Sequence, residues 1–308
     1  MRRDLTGTVA VVGCGTIGAS WACLFLAHGL DVVATDIRLD AEGDLNAAID
    51  RFWPALPETV LAADRRGRLR FTPDLDDACA DATFVQENAI ERLEDKIDLM
   101  RRIDAAAPAD TIIASSSSAI SVTEMQSVCA HPGRVVLGHP FNPPHLVPLV
   151  EVCGGDRTSE ATLTRAAEFY AALGKVPIRL NKEIYGHIAN RLQAAIFREA
   201  VHLLESGVAS AQDIDRAVTE GPGIRWALMG PLQTYHLAGG GRGMEGFWDM
   251  FAPMQDRLWR ELGHPTPASD LQRRVTDAVV DCYADRSVDD MATDRDRMLR
   301  RLLKARSG

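Results

Sequence analysis

Residues 9 to 22, VAVVGCGTIGASWA, constrain this chain more than any other stretch. A β-branched apolar run leads into Gly13-x-Gly15-x-x-Gly18 and continues directly into helix-forming residues. Strand, tight turn and helix in that order form the opening of a doubly wound sheet, with a dinucleotide pyrophosphate seated on the helix N-terminus. Gly13 permits the sharp turn, Gly15 lets the backbone approach the phosphates, and Gly18 lets the helix pack on the strand. Thr16 and Ile17 belong to the same phosphate-facing turn. A second apolar run, Leu30 to Thr35, ends at Asp36, roughly 20 residues after the glycines, where a carboxylate accepts hydrogen bonds from ribose hydroxyls. It would also repel a 2′-phosphate, so NAD(H) is expected over NADP(H); Arg38, two residues on, weakens that preference.

At 308 residues with 46% hydrophobic composition, the chain is long enough for two domains with a substantial core. A net charge of −9 without a basic run argues against nucleic-acid or anionic-membrane partners and for small molecules. The cysteines (14, 23, 79, 129, 153 and 282) are scattered, with no C-x-x-C pair and no histidine at zinc spacing. Neither a disulfide framework nor a metal site is expected. Met1 to Thr8 leaves no room for a signal peptide before the first strand, and no apolar run approaches bilayer length, so a cytoplasmic location is expected.

The first 180 or so residues alternate between strands and helices. Ile17 to His28 reads as the first helix, Val32 to Thr35 as the second strand, and Ala41 to Arg66 as a polar, helix-prone stretch. Short extended runs follow at Leu69 to Phe71 and Thr83 to Glu87. Leu93 to Ala107 repeats Ile97, Met100 and Ile103 at helical spacing. Thr111 to Ala114 and Val135 to Gly138 read as buried parallel strands, separated by a helix at Val122 to Cys129. From about Tyr185 the β-branched runs give way to helical segments: Ile188 to Gly207, Ser210 to Glu220, Leu228 to Ala238, Phe247 to Leu262, Ser269 to Tyr283 and Ser287 to Ala305. The expected fold is an α/β Rossmann-type doubly wound domain, 1–184, followed by a mostly α-helical domain, 185–308.

Residues 134 to 152, RVVLGHPFNPPHLVPLVEV, place His139 at the C-terminal end of an apolar strand, where open α/β sheets bind ligands. Prolines then turn the chain, and an antiparallel return over Leu146 to Val152 would bring Glu151 beside His139. An imidazole backed by a carboxylate is the minimal general base. Taken alone, His139 reads more readily as a capped loop histidine than as a catalyst, and Glu151 as a solvent-facing glutamate.

Over nearly its whole length the chain resembles the 3-hydroxyacyl-CoA dehydrogenase superfamily, through the Gly-rich turn, IIASSSSAI, GHPFNPPHLVPLVEV and GHIANRL. The resemblance implies that His139 is the base and that Glu151, twelve residues on, pairs with it. By the same resemblance Ser118 contacts the substrate oxygen, as does Asn190 in the helix opening the second domain. Glu91, Lys96, Ser118 and Asn142 match positions bordering the cofactor. Two departures stand out: the usual Asn-Thr-Ser-Ser is Ser116-Ser117-Ser118-Ala119, and the Phe of G-F-I-x-N-R is His187. Neither removes a catalytic group, so activity is expected with an altered substrate pocket.

GASWA, VQEN and GPGIRWALMGP resemble the branch that holds L-gulonate 3-dehydrogenase, lambda-crystallin and L-carnitine dehydrogenase. This implies an NAD-dependent interconversion of a small L-3-hydroxy acid and its 3-keto acid, in a homodimer paired through the helical domain. Arg225 is a candidate partner for a substrate carboxylate, against the plainer reading of a surface or intersubunit arginine. Trp226, Tyr235, Phe247 and Trp248 suit a cage for a quaternary ammonium, although an aromatic core in a helical domain is the preferred reading. The alternatives are an acyl-CoA dehydrogenase, a biosynthetic ketoreductase of polyketide type, and a non-catalytic, crystallin-like nucleotide-binding protein.

Overall fold

The computed structural model describes residues 5–61 and 66–306. Its sheet runs β3-β2-β1-β4-β5-β6-β7-β8, with strands β1 Thr8–Val12, β2 Asp31–Thr35, β3 Leu69–Phe71, β4 Ala82–Glu87, β5 Ile112–Ser115, β6 Val135–Pro140, β7 Leu149–Gly154 and β8 Val176–Arg179. All neighbouring pairs are parallel except β6 and β7. The order reverses at β1, where β2 and β4 lie on its two sides. That switch point leaves a crevice at the carboxyl ends of the strands, the usual ligand position of this architecture.

The helices are α1 Thr16–Ala27, α2 Ala41–Phe52, α3 Glu58–Leu61, α4 Leu75–Cys79, α5 Leu93–Ala106, α6 Val122–Gln126 and α7 Glu160–Ala172. Beyond β8 come α8 Ala189–Glu205, α9 Ala211–Thr219, α10 Pro222–Trp226, α11 Pro231–Ala238, α12 Gly243–Glu261, α13 Ser269–Cys282 and α14 Val288–Arg306. Two apolar clusters cover the two sheet faces. One holds Val9, Val11, Trp21, Phe25, Phe84 and Tyr170, the other Ala10, Val85, Met100, Ile113, Leu137 and Cys153. Successive residues of β1 alternate between them, as a strand buried on both sides requires.

The chain divides into two compact units, 1–190 with 295–308, and 191–294. In the first, the expected helix over 41–66 is interrupted. α2 ends at Phe52, Pro54 falls in a 3-10 turn over Trp53–Ala55, and α3 follows Pro57. Proline lacks the N–H that continues a helix and disfavours helical backbone in the residue before it. Residues 62–65 of that expected helix lie outside the described residues. In the second unit the helix expected from Leu228 starts at Pro231, with Gly230 as its N-cap; proline is favoured at the first helical position.

Candidate active site

The Gly-rich turn is built as its sequence requires. Gly13 has φ +89, and a Cβ there would lie 2.8 Å from the backbone of Asn88 and Ala89. A Cβ on Gly18 would come within 1.9 Å of the Gly13 carbonyl oxygen. Gly15 caps α1, and a Cβ there meets nothing within 4 Å. The helix start therefore presents open space and unpaired N–H groups, which suits a pyrophosphate. Asp36 stands at the end of β2 with its side chain 12% exposed. One carboxylate oxygen accepts the Cys14 N–H at 2.7 Å and the other the Arg38 N–H at 3.0 Å. Each oxygen keeps acceptor capacity for a ribose hydroxyl. The Arg38 guanidinium reaches Asp44 at 3.0 Å and lies 3.8 Å from Asp36.

Beyond the turn, a cavity of about 190 Å³ is lined by Ile17, Asn88, Ala89, Glu91, Lys96 and Ser118, with Ser116. Lys96 is 1% exposed, and its ammonium donates to Glu87 at 2.8 Å and to the Ala89 carbonyl at 3.0 Å, with Glu91 at 3.5 Å. Glu91 in turn accepts the N–H groups of Ser118 and Ala119, both at 2.8 Å, and the Ser117 hydroxyl. Burial pushes the Glu91 carboxyl upward, but these donors and the Lys96 charge outweigh it and its pKa is lowered. The serine loop is thus fixed by a carboxylate whose charge the same network maintains.

At the mouth of β6, His139 is paired in register with Glu151 of the antiparallel β7. The imidazole Nδ1 is 2.8 Å from Glu151 Oε2, and Nε2 is 3.0 Å from Ser118 Oγ. Since a buried carboxylate calls for a donor, Nδ1 carries the proton and Nε2 presents its lone pair to Ser118. Glu151 Oε1 accepts the backbone N–H groups of Ile188 at 2.8 Å and Ala189 at 3.0 Å, at the start of α8. Burial raises the Glu151 pKa, while the bond from His139 and those two amides lower it, and the net direction is down. A carboxylate kept ionised behind an imidazole stabilises the ring as it takes up a proton.

Asn142 is exposed in the loop after β6, which is anchored from below. The Lys175 ammonium donates to the Pro144 carbonyl at 2.5 Å and to that of Val147, and His145 Nδ1 is 2.8 Å from Ser20 Oγ. Burial brings the Lys175 pKa down to about 7. Asn190 lies in the first turn of α8, immediately after the two amides that hold Glu151. The structure therefore brings His139, Glu151 and Ser118 into one hydrogen-bonded chain and carries Asn190 on the helix start bound to it.

Arg225 is exposed on α10 of the second unit, and among the described residues no hydrogen bond or ion pair of its side chain is seen. In that unit Phe247 is buried, 5% exposed, between Tyr235 at 4.9 Å, Trp248 at 5.1 Å and Phe251 at 5.5 Å. Its ring is spent on core packing, which favours the plainer of the two readings for this aromatic group.

Sequence reasoning named Lys96 as bordering the cofactor but missed its buried pairing with Glu87, which also accepts the Ser115 hydroxyl at 2.6 Å, and gave His187 no role. His187 is a non-glycine residue at φ 51, 6% exposed, with its ring 4.8 Å from that of His139. A buried lysine in VQENAIERLEDK was the available signal for the first, and the replaced Phe for the second.

A dinucleotide cradle at a switch point, with an imidazole–carboxylate base at the adjacent strand end, defines a nicotinamide-dependent dehydrogenase acting on a CH–OH group. Comparison with known proteins gives the particular family. Residues 8–184 match the 3-hydroxyacyl-CoA dehydrogenase NAD binding domain and residues 186–305 its C-terminal domain. The chain belongs to the 3-hydroxyacyl-CoA dehydrogenase family, and its cofactor is NAD(H). It is 48% identical to the L-carnitine dehydrogenase of Streptomyces griseus over 96% of this chain and 89% of that one. With the L-carnitine dehydrogenase of Pseudomonas aeruginosa it shares 42% identity over 97% and 93%. A solved structure of 5-formyl-3-hydroxy-2-methylpyridine 4-carboxylic acid 5-dehydrogenase, an NAD+-dependent dismutase, superposes with TM-score 0.85 at 28% identity, covering 99% of each chain. Among the described residues no helix is long and apolar enough to cross a membrane.

Proposed function

We propose that this protein oxidises L-carnitine, or a close L-3-hydroxy acid analogue, to the 3-keto acid. The hydrogen-bonded chain Ser118–His139–Glu151 carries the reading, and the 48% identity to an L-carnitine dehydrogenase directs it to this substrate. Gly13, Gly15, Thr16, Ile17 and Gly18 hold the pyrophosphate, Asp36 the adenosine ribose, and Glu91, Lys96, Ser118 and Asn142 border the nicotinamide. When bound, the cofactor supplies the hydride acceptor for the carbinol carbon. His139 Nε2 takes the hydroxyl proton, and Glu151 holds Nδ1–H and balances the imidazolium. Ser118 and Asn190 hold the substrate oxygen, and Arg225 pairs with the substrate carboxylate.

In this reading the functional division lies at 184/185, and the helical part pairs two copies into a homodimer. Exposed apolar side chains in the second unit support that pairing, among them Leu232, Phe197 and Trp259 at 77%, 63% and 58% exposure. All six cysteines are free, which suits a cytoplasmic location.

The test is a panel of L-carnitine, 3-hydroxybutyrate, L-gulonate and 3-hydroxybutyryl-CoA, followed by NADH absorbance. L-carnitine should give the highest kcat/KM; a higher value for the CoA thioester would overturn the reading.

A further inference from the structure

A second cavity lies on the sheet face that carries the His139–Glu151 pair. Residues two apart on a strand share a face, so Leu137 and Cys153 lie on the same side as His139 and Glu151. They form the next pair on that face in the β6–β7 register, and both line the cavity. Its volume is about 260 Å³, and Ala119, the neighbour of Ser118, is part of its wall. His187 closes the side toward the dyad, and Glu124, Glu183 and Tyr185 line the remainder with apolar residues.

The polar inventory is one-sided. His187 Nε2 is 3.0 Å from the Ser117 carbonyl oxygen and donates its proton there, so Nδ1 bears a lone pair. That nitrogen is buried and without a hydrogen-bond partner among the described residues. Burial lowers the His187 pKa, which keeps the ring neutral. Glu183 accepts the Thr123 N–H at 3.2 Å and the Thr123 hydroxyl at 2.5 Å, while Glu124 closes a capping box with Ser121. Both carboxylates have spare acceptor positions. Among the described residues no lysine or arginine lines the cavity. Negative charge, a bare imidazole nitrogen and apolar walls suit a cation clad in methyl groups. Such a cation has no N–H to satisfy and gains from both the field and the apolar contact.

We propose that this cavity receives the quaternary ammonium end of the substrate, with the carbinol at Ser118 and His139. Only two carbon atoms separate hydroxyl oxygen from ammonium nitrogen in a 4-trimethylammonio-3-hydroxybutyrate. The His187 ring, 4.8 Å from that of His139, and Ala119, next to Ser118 in the chain, are close enough to the carbinol position for that short link. The inference rests on the carnitine reading above and adds the residues that recognise the charge.

The probe is the neutral carbon isostere of carnitine, 3-hydroxy-5,5-dimethylhexanoate, which keeps the shape and removes the charge. The intact enzyme should show a kcat/KM ratio of L-carnitine to isostere of at least about tenfold. Both Glu183→Gln and His187→Phe should lower that ratio by about threefold or more, the first by removing charge and the second by removing the free nitrogen. A ratio near one in the unaltered protein, or a ratio unchanged in both variants, overturns the inference and leaves the carnitine reading standing. If the unaltered protein oxidises neither compound but oxidises L-gulonate, the carnitine reading falls and this inference with it.

Discussion

Replacing Glu151 by Gln probes the dyad with the smallest change in shape. The carboxylate divides its work: Oε2 accepts from His139 Nδ1 at 2.8 Å, and Oε1 accepts from Ile188 at 2.8 Å and Ala189 at 3.0 Å. A glutamine has one oxygen for these two ends. Turning that oxygen toward His139 leaves the two amide donors facing an NH₂ group, at roughly 1–3 kcal/mol for each unsatisfied buried donor. The oxygen therefore stays with the amides, and the side-chain NH₂ faces Nδ1. His139 must then accept at Nδ1 and carry its proton on Nε2, the atom proposed to take the substrate proton. The wrong tautomer and the lost countercharge together should lower kcat on the order of 10³-fold, about 4 kcal/mol in the barrier.

NADH absorbance under saturating substrate measures the loss, and fluorescence titration of NADH should show nearly unchanged affinity. Stability gives an independent check, because the folded-state pKa of Glu151 is lowered. Its stabilisation is fully present above the unfolded value of roughly 4.3 and is lost as pH falls through the lower folded value. Denaturant unfolding of Glu151→Gln should therefore show reduced stability at neutral pH and a flatter acid limb. A variant that kept kcat within about threefold of the unaltered enzyme would refute the tautomer argument.

His139→Gln should lose turnover by on the order of 10²-fold or more in kcat, with NADH affinity by fluorescence essentially retained. NAD(H) should bind at least about tenfold more tightly than NADP(H), about 1.4 kcal/mol, and Asp36→Ala should narrow that gap in the same titration. Arg225→Met should raise KM for a free hydroxy acid far more than for its neutral methyl ester; equal effects in steady-state assays would make Arg225 structural.

The parts legible in the sequence are those whose cause is local. The β1–α1 turn is dictated by Gly13 and Gly18, whose replacement would drive a Cβ into backbone, and β1 and β5 by continuous apolar runs. β8 was not singled out because it is a short outer strand, Val-Pro-Ile-Arg, with no fully buried residue and with a proline that such an outer position tolerates. On α5, spacing pointed to Ile97, Met100 and Ile103 as the inner face, yet the buried set is Lys96, Met100, Ile103 and Asp104. Lys96 occupies that face because Glu87, nine residues earlier at the end of β4, supplies the countercharge. No periodicity reveals such a pairing. His139 and Glu151 were findable through family resemblance, whereas the role of the α8 amides needed the backbone path.

Those amides give the site a property that neither residue of the dyad has alone. Glu151 binds β6 through His139 and the start of α8 through Ile188 and Ala189, while His187 binds the same segment to the serine loop through the Ser117 carbonyl. Glu91 fixes that loop from its other side through the Ser118 and Ala119 N–H groups. The base, the hydroxyl facing it and the helix turn bearing Asn190 are therefore joined by one set of hydrogen bonds with two carboxylates at its nodes. Each carboxylate has its pKa lowered by the donors it gathers, so the bonds that position the site also keep its charges in place. Protonating either node removes an anchor as well as a charge. Acid should thus impair geometry and proton transfer together, and loss of activity at low pH should exceed what protonation of His139 alone would cause.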